Sequence, residues 1–232
     1  MSQGTIVTIG RQYGSGGRNI GIQLAKEMGV PFYDQNILKQ AAEESGLCEK
    51  ILQNYDEKPR SFLYSIAMDP FGYALGGIPA NTLDQRVYMA TFDTINTIAD
   101  KGSSVIIGRC ADYVLRERKN VLRVFLYASL EERIKTVMER DELSESAAKQ
   151  KIQRMDRSRA AYYEFYSTQK WGAVDSYAFC LDSSYLGLGG TVELIQAMVA
   201  NASSLKDVET VHMVGMGASP YCKEELRDSF RH

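Results

Sequence analysis

Glycines at 14, 16 and 17 stand between two arginines, Arg11 and Arg18, just after the β-branched run Ile6, Val7, Ile9 that stops at Gly10. A helical pattern follows, with Ile20, Ile22, Leu24, Ala25 and Met28. A buried strand, a glycine-rich turn and a helix start are the parts of a phosphate site. Glycine lets the backbone approach anion oxygens, the first N–H groups of a helix lack partners, and the helix dipole favours negative charge there. A plain strand-to-helix turn is the alternative, and it needs neither arginine. The segment points to a nucleotide or another phosphorylated ligand.

Three glycine patterns compete. The ATP-loop pattern G-x-x-x-x-G-K-[ST] fails, because Gly17 stands where the lysine belongs and Asn19 stands near the Ser/Thr that would hold Mg2+. Arg18 follows one residue later and can supply the charge, since a guanidinium binds phosphate in a bidentate way. The dinucleotide pattern G-x-G-x-x-G also fails, at Asn19. The looser spacing Gly10-x-x-x-Gly14-x-Gly16 fits a short-chain dehydrogenase, with Asp34 as a ribose contact and Tyr166-x-x-x-Lys170 as a proton-transfer pair. That pair is weak in a chain with 14 Tyr, and the Asn-Ala-Gly run and upstream Ser of those enzymes are missing from their places.

More arginines separate phosphoryl transfer from redox chemistry. Arg109 follows Gly108 directly after an apolar run, so it stands at a sheet rim, either to meet an anion or to cap a surface loop. Arg154, Arg157 and Arg159 fall within six residues of one predicted helix, with Asp156 between them. Like charges at that spacing repel unless something anionic offsets them. They form either a solvated helix face or a lid over polyphosphate, and phosphoryl transfer is mostly positioning and charge neutralisation. Tyr162, Tyr163, Phe165 and Tyr166 behind them read as packing, with base stacking as the alternative. Asp34 has three candidate roles: a Mg2+-water ligand, a base or ribose contact, or a helix cap.

The elements that must position these residues alternate. The pattern predicts strands at 5–10, 31–34, 103–108, 121–127 and 176–181. Helices are expected at 17–29, 35–46, 82–101, 131–141, 145–166 and 192–202, with a Gly/Pro loop at 69–79 able to cover a ligand. Alternation of this kind gives an α/β fold: a parallel sheet of about five strands flanked by helices, with ligands beyond the strands' C-terminal ends. Residues 10–18, Asp34, Arg109 and the residues after Leu181 then share one crevice. The expected layout is one domain over 1–203, holding an acceptor-side helical region at 35–101 and a helical lid at 144–168, with a tail at 204–232.

With 232 residues, 44% of them hydrophobic, the chain can bury a full core. A net charge of −2 argues against a general nucleic-acid binder. No apolar run approaches the ~20 residues of a membrane span, and the N-terminus enters a strand without a signal-peptide pattern. Cys48, Cys110, Cys180 and Cys222 form no C-x-x-C pair, so reduced cysteines, a cytoplasmic location and no metal site are expected. The only histidines are His212 and His232, which leaves no central His for a mechanism.

The segment GRQYGSGGRNIGIQLAKEMGVPFYDQNIL resembles the cytidylate kinase-like family, a divergent branch of the P-loop nucleoside-monophosphate kinases. The resemblance continues through VIIGRCADYVL, VFLYASLEERI and RMDRSR to about residue 200. It implies ATP and Mg2+ as cofactors, with ATP on Gly14, Ser15, Gly16, Gly17 and Arg18; Gly10, Arg11 and Asn19 beside them are further candidate cofactor-binding residues. It implies a small nucleotide acceptor near Asp34, Arg109, Asp156 and Arg159, and catalytic roles for Arg18, Arg157 and Arg159. Where that family carries Asp-Gly-Arg-Asp after its central strand, Ile107-Gly108-Arg109-Cys110 keeps only the Gly and Arg. The implied activity is ATP-dependent phosphoryl transfer to a nucleoside monophosphate; a nucleotide-binding regulator of the same fold is the alternative. No nucleic-acid or membrane partner is expected, and a homodimer is left open.

Overall fold

The computed structural model describes residues 4–34 and 83–202. The expected helix at 35–46, the loop at 69–79, most of the region 35–101 and the tail at 204–232 lie outside the described residues, as do Cys48, Cys222, His212 and His232. In chain order the elements are β1 (Ile6–Arg11), α1 (Gly17–Met28), β2 (Phe32–Tyr33), α2 (Leu83–Asp100), β3 (Ser104–Ile107), α3 (Ala111–Val114), β4 (Val121–Tyr127), α4 (Leu130–Asp141), α5 (Glu145–Ser167), β5 (Phe179–Asp182) and α6 (Ser183–Ala202).

The strands form one five-stranded sheet in the order β2-β3-β1-β4-β5. Every pairing is parallel. The central strand β1 is apolar except for the buried Thr8 and the terminal Arg11, because both its faces are covered. Val7 and Ile9 pack with Ile20 and Leu24 of α1 and Val192 and Ile195 of α6. On the other face Ile6 and Ile106 pack with Ile95 and Ile98 of α2 and with Leu115. The period-2 alternation of strands therefore sorts one apolar run into two cores. No helix among the described residues is long and apolar enough to cross a membrane.

Three elements differ from expectation. The second strand is two residues long. The four-residue α3 was not expected; it is too short for a periodic signal and starts from a left-handed Cys110. The last helix begins at Ser183, not 192, and breaks at Gly187 (φ 66°, ψ 178°), so its first turn has no 3.6-residue apolar stripe to read.

The inner face of α5 changes character along its length. Ala148 and Ile152 pack on Val137 of α4. Tyr163 joins Cys110, Phe125 and Tyr177 in a buried cluster under the C-terminal part of β4. Phe125 is the hub: its ring meets Trp171 edge-on at 5.3 Å and Tyr177 at 4.9 Å. Replacing Phe125 by Ala should therefore lower unfolding stability by about 3–5 kcal/mol in urea titrations, the range for an emptied aromatic site.

Asp112 lies beneath this cluster, 5% exposed, and its Oδ2 accepts a hydrogen bond from the Tyr163 hydroxyl at 2.6 Å. Burial pushes its carboxyl above the usual range, and the Tyr163 bond offsets only part of that. The folded state then binds a proton that the unfolded state releases at a pKa of about 3.9. Stability from this group is complete below about pH 4 and is lost as pH rises through the folded value. Asp112→Asn should flatten that decline, so thermal melts of the variant and the parent should diverge upward from about pH 4 in the variant's favour.

Candidate active site

The glycine loop leaves β1 and enters α1 through Gly16, whose left-handed φ of 73° suits a residue without Cβ. No side chain caps that helix start and no acidic residue occupies its first turn. Its free N–H groups and dipole are therefore available to an anion. The loop is braced on both sides. Ser15 Oγ donates to the Gln12 carbonyl at 2.9 Å, and Gln12 Oε1 accepts from the Ala128 N–H at 3.3 Å. Ser183 Oγ stands 2.7 Å from the Ser15 carbonyl and 2.9 Å from that of Tyr127, donating its one hydrogen to either. A cavity of about 220 Å3 opens beside the loop, lined by Gly14, Ser15, Gly16, Thr136, Glu132, Ser183, Ser184 and Leu188 among others. That is below the roughly 300–1,000 Å3 of whole-ligand pockets. It suits one part of a ligand whose phosphates rest outside it, on the loop.

Arg11 ends β1 and runs between two glycines. A Cβ on Gly17 would lie 2.8 Å from Arg11 Cβ and 3.0 Å from its Cγ. A Cβ on Gly108 would strike the Arg11 guanidinium at Nη1. The side chain thus passes over the foot of α1 and ends at the rim of β3. Burial, joined by the charges of Arg159 and Arg109, pushes this guanidinium down to about 9 against the opposing pull of Asp34. Still charged at neutral pH, the arginine meets such a cost by finding an anion.

Gly108, Arg109 and Cys110 all have positive φ, at 73°, 56° and 56°. This left-handed run turns the chain sharply at the end of β3 and holds Arg109 at the rim. Arg159 approaches from α5, its Nη1 donating to the Arg11 carbonyl at 3.0 Å. Its guanidinium also lies 5.3 Å from the centre of the Tyr13 ring. Burial lowers the pKa of Arg159, and Asp156 and Tyr13 counter it.

The expected site residues divide. Arg11, Gly14, Ser15, Gly16, Gly17, Arg109 and Arg159 come together at the C-terminal edge of the sheet. Gly10 stays inside β1, where a Cβ would lie 2.8 Å from the Phe125 ring; its smallness serves packing. Arg18 and Asn19 are exposed on the first turn of α1. Arg18 Nε donates to Asp34 Oδ2 at 2.8 Å, so Asp34 is an ion-pair partner here. Arg157 lies on the exposed side of α5, with Arg154, while Asp156 and Arg159 follow the inner stripe. Both Asp156 oxygens are engaged: Oδ1 accepts from the Tyr13 N–H and Oδ2 from Arg133 Nη2, each at 2.7 Å. Tyr166 stacks on Tyr88 with ring centroids 4.0 Å apart.

Sequence reasoning missed Arg133. It is 6% exposed on α4, its Nε finds no partner, and burial lowers its pKa against the pull of Asp156. The available signal was its place four residues before the buried Val137, on the inner face of the helix.

The profile of the cytidylate kinase-like family matches residues 6–185. The chain belongs to the cytidylate kinase-like family. Among solved structures, an uncharacterized protein from Eubacterium ventriosum ATCC 27560 is similar to this family member with a TM-score of 0.64 and 25% identity, covering 84% of this chain and 98% of that one. A shikimate kinase from Bacteroides thetaiotaomicron gives a TM-score of 0.47 at 11% identity, over 84% and 98% of the two chains. A deoxyadenosine kinase from M. mycoides with the products dCMP and dCDP bound gives 0.40 at 12% identity, over 85% and 99%. No curated protein sequence matches the chain.

At Gly17 the stem of Arg11 fills the space from which a side chain would start. Gly17→Lys should therefore destabilise the protein by about 1–3 kcal/mol, the usual penalty of overpacking, despite the better helix propensity of Lys. A lower melting temperature for the variant checks this; an unchanged one contradicts the packing argument.

Proposed function

We propose that this chain transfers the terminal phosphoryl group of ATP to a nucleoside monophosphate. The observation that carries the reading is the gathering of Arg11, Arg109 and Arg159 at the rim beside an uncapped helix N-terminus. Phosphoryl transfer asks the protein for little beyond positioning and charge stabilisation of an in-line displacement. An oxygen of the acceptor phosphate forms a bond to the γ-phosphorus as the bond to the β–γ bridging oxygen breaks, and the electron pair leaves with ADP.

The loop N–H groups of residues 14–18 would hold the donor phosphates, and the cavity beside Thr136 and Leu188 would take the base. Arg109, on the rigid rim, would hold the acceptor phosphate. Arg159, on α5, would stabilise the group in transfer, with α5 as the lid element. Family membership supports ATP with Mg2+, an ion that neutralises phosphate charge when bound. Among the described residues no group of three or more His, Cys, Asp and Glu side chains is arranged for a metal.

A second reading, a nucleotide-binding regulator of the same fold, draws on Gly17 in the lysine position. ADP release measured over a panel of monophosphates including CMP, dCMP and UMP separates the two. Turnover with one or more acceptors is the expected result; a flat panel with intact ATP binding selects the regulator. Within the kinase reading, Arg109→Ala should mainly raise the acceptor KM. Arg159→Ala should mainly lower kcat, by on the order of 2–4 kcal/mol, as for a lost preorganised donor. Arg157→Ala, on the exposed face, should change kcat by no more than about two-fold.

A further inference from the structure

We propose that Arg11 replaces the missing loop lysine and grips the terminal phosphate of the bound nucleoside triphosphate. This inference rests on the kinase reading and names the residue that supplies its central charge.

The geometry leaves few alternatives for that charge. A loop lysine starts at the first turn of the helix and reaches back over the phosphates. Here that starting point is Gly17, and the stem of Arg11 lies against it. The guanidinium then ends at Gly108, next in the chain to Arg109, which would hold the acceptor. It is the side chain that bridges the foot of α1 and the rim of β3. Arg18, the sequence's nearer candidate, has a side chain 65% exposed, with its Nε committed to Asp34.

The fold has also adapted to the arginine. Gly108 lacks the Cβ that would collide with Arg11 Nη1, and Gly17 lacks the one that would collide with its stem. Gly17 and Gly108 thus lie against the stem and the tip of one side chain. The Arg11 carbonyl accepts from Arg159, so the backbone of the lysine substitute is tied to the helix that carries the other transfer arginine. Burial among like charges leaves this guanidinium in need of an anion, and a γ-phosphate brings a dianion. A guanidinium in this place offers a fork of donors where lysine offers a point charge, which compensates for its fixed position.

The test is binding of ATP and ADP, each with Mg2+, to the full chain by calorimetry, comparing the parent with Arg11→Met and Arg11→Lys. Methionine keeps the stem on Gly17 and removes only the charge. The parent should prefer ATP to ADP. Arg11→Met should lose roughly 10- to 100-fold in ATP affinity, the range for a hydrogen bond to a charged group, with ADP affinity nearly unchanged. Arg11→Lys should recover part of the ATP preference. A melting temperature within a few degrees of the parent shows that the variants are folded. If Arg11→Met keeps the parent's ATP-to-ADP ratio, or loses both affinities equally, Arg11 is structural and the assignment is overturned while the kinase reading stands. If the parent binds neither nucleotide, the kinase reading falls and takes this assignment with it. Should Arg11→Met fail to fold, Arg11→Lys decides alone: an ATP-to-ADP ratio equal to the parent's overturns the assignment, and a reduced one supports it.

Discussion

A guanidinium stays charged at neutral pH even when buried, so burying one among others constrains everything around it. Arg11 imposes that constraint here. It needs a passage, and Gly17 and Gly108 leave one. It needs opposing charge, and Asp34 supplies some while also pairing with Arg18. The chain as a whole carries a net charge of −2, yet the rim of its sheet is cationic. Concentrating positive potential in one half-buried place on an acidic protein focuses it toward a small polyanion.

The helix α5 connects this rim to the rest of the molecule. One stripe, at 148, 152, 156, 159, 163 and 167, passes from small apolar residues through an acid and a base to an aromatic and a buried serine. The apolar end docks on α4, the aromatic end on Phe125 and Tyr177, and the charged middle crosses the glycine loop. The Asp156–Arg133 pair holds that crossing. Burial raises the Asp156 carboxyl and lowers the Arg133 guanidinium, each partner countering the other's shift, and breaking such a pair leaves a buried charge uncompensated. Whatever moves the helix must therefore act on the loop as well.

Much of the fold was legible because parallel strands covered on both faces read as continuous apolar runs, as in SVII and VLRVFLY. The loop was legible because glycine spacing reports backbone demands directly. What escaped was tertiary. Gly10 looked like a phosphate glycine and is a packing glycine against Phe125, a contact made 115 positions along the chain. Asp34 and Asp156 looked like ligands for a substrate; their pairing with Arg18 and Arg133 depends on side-chain geometry that no spacing encodes. Arg133 looked like any charge on an amphipathic helix, and only the docking of α5 encloses it.

The left-handed run at Gly108, Arg109 and Cys110 limits how this protein can change. An L-residue held left-handed is disfavoured by roughly 1–2 kcal/mol, and two of the three are not glycine. Glycine would relieve either position. At 109 it would remove the guanidinium from the rim; at 110 it would hollow the aromatic cluster that anchors α5. Relief of strain and retention of the site are thus mutually exclusive at neighbouring residues. Selection for thermal tolerance in this family member has to work elsewhere in the chain, because at this turn added stability and charge placement trade against each other.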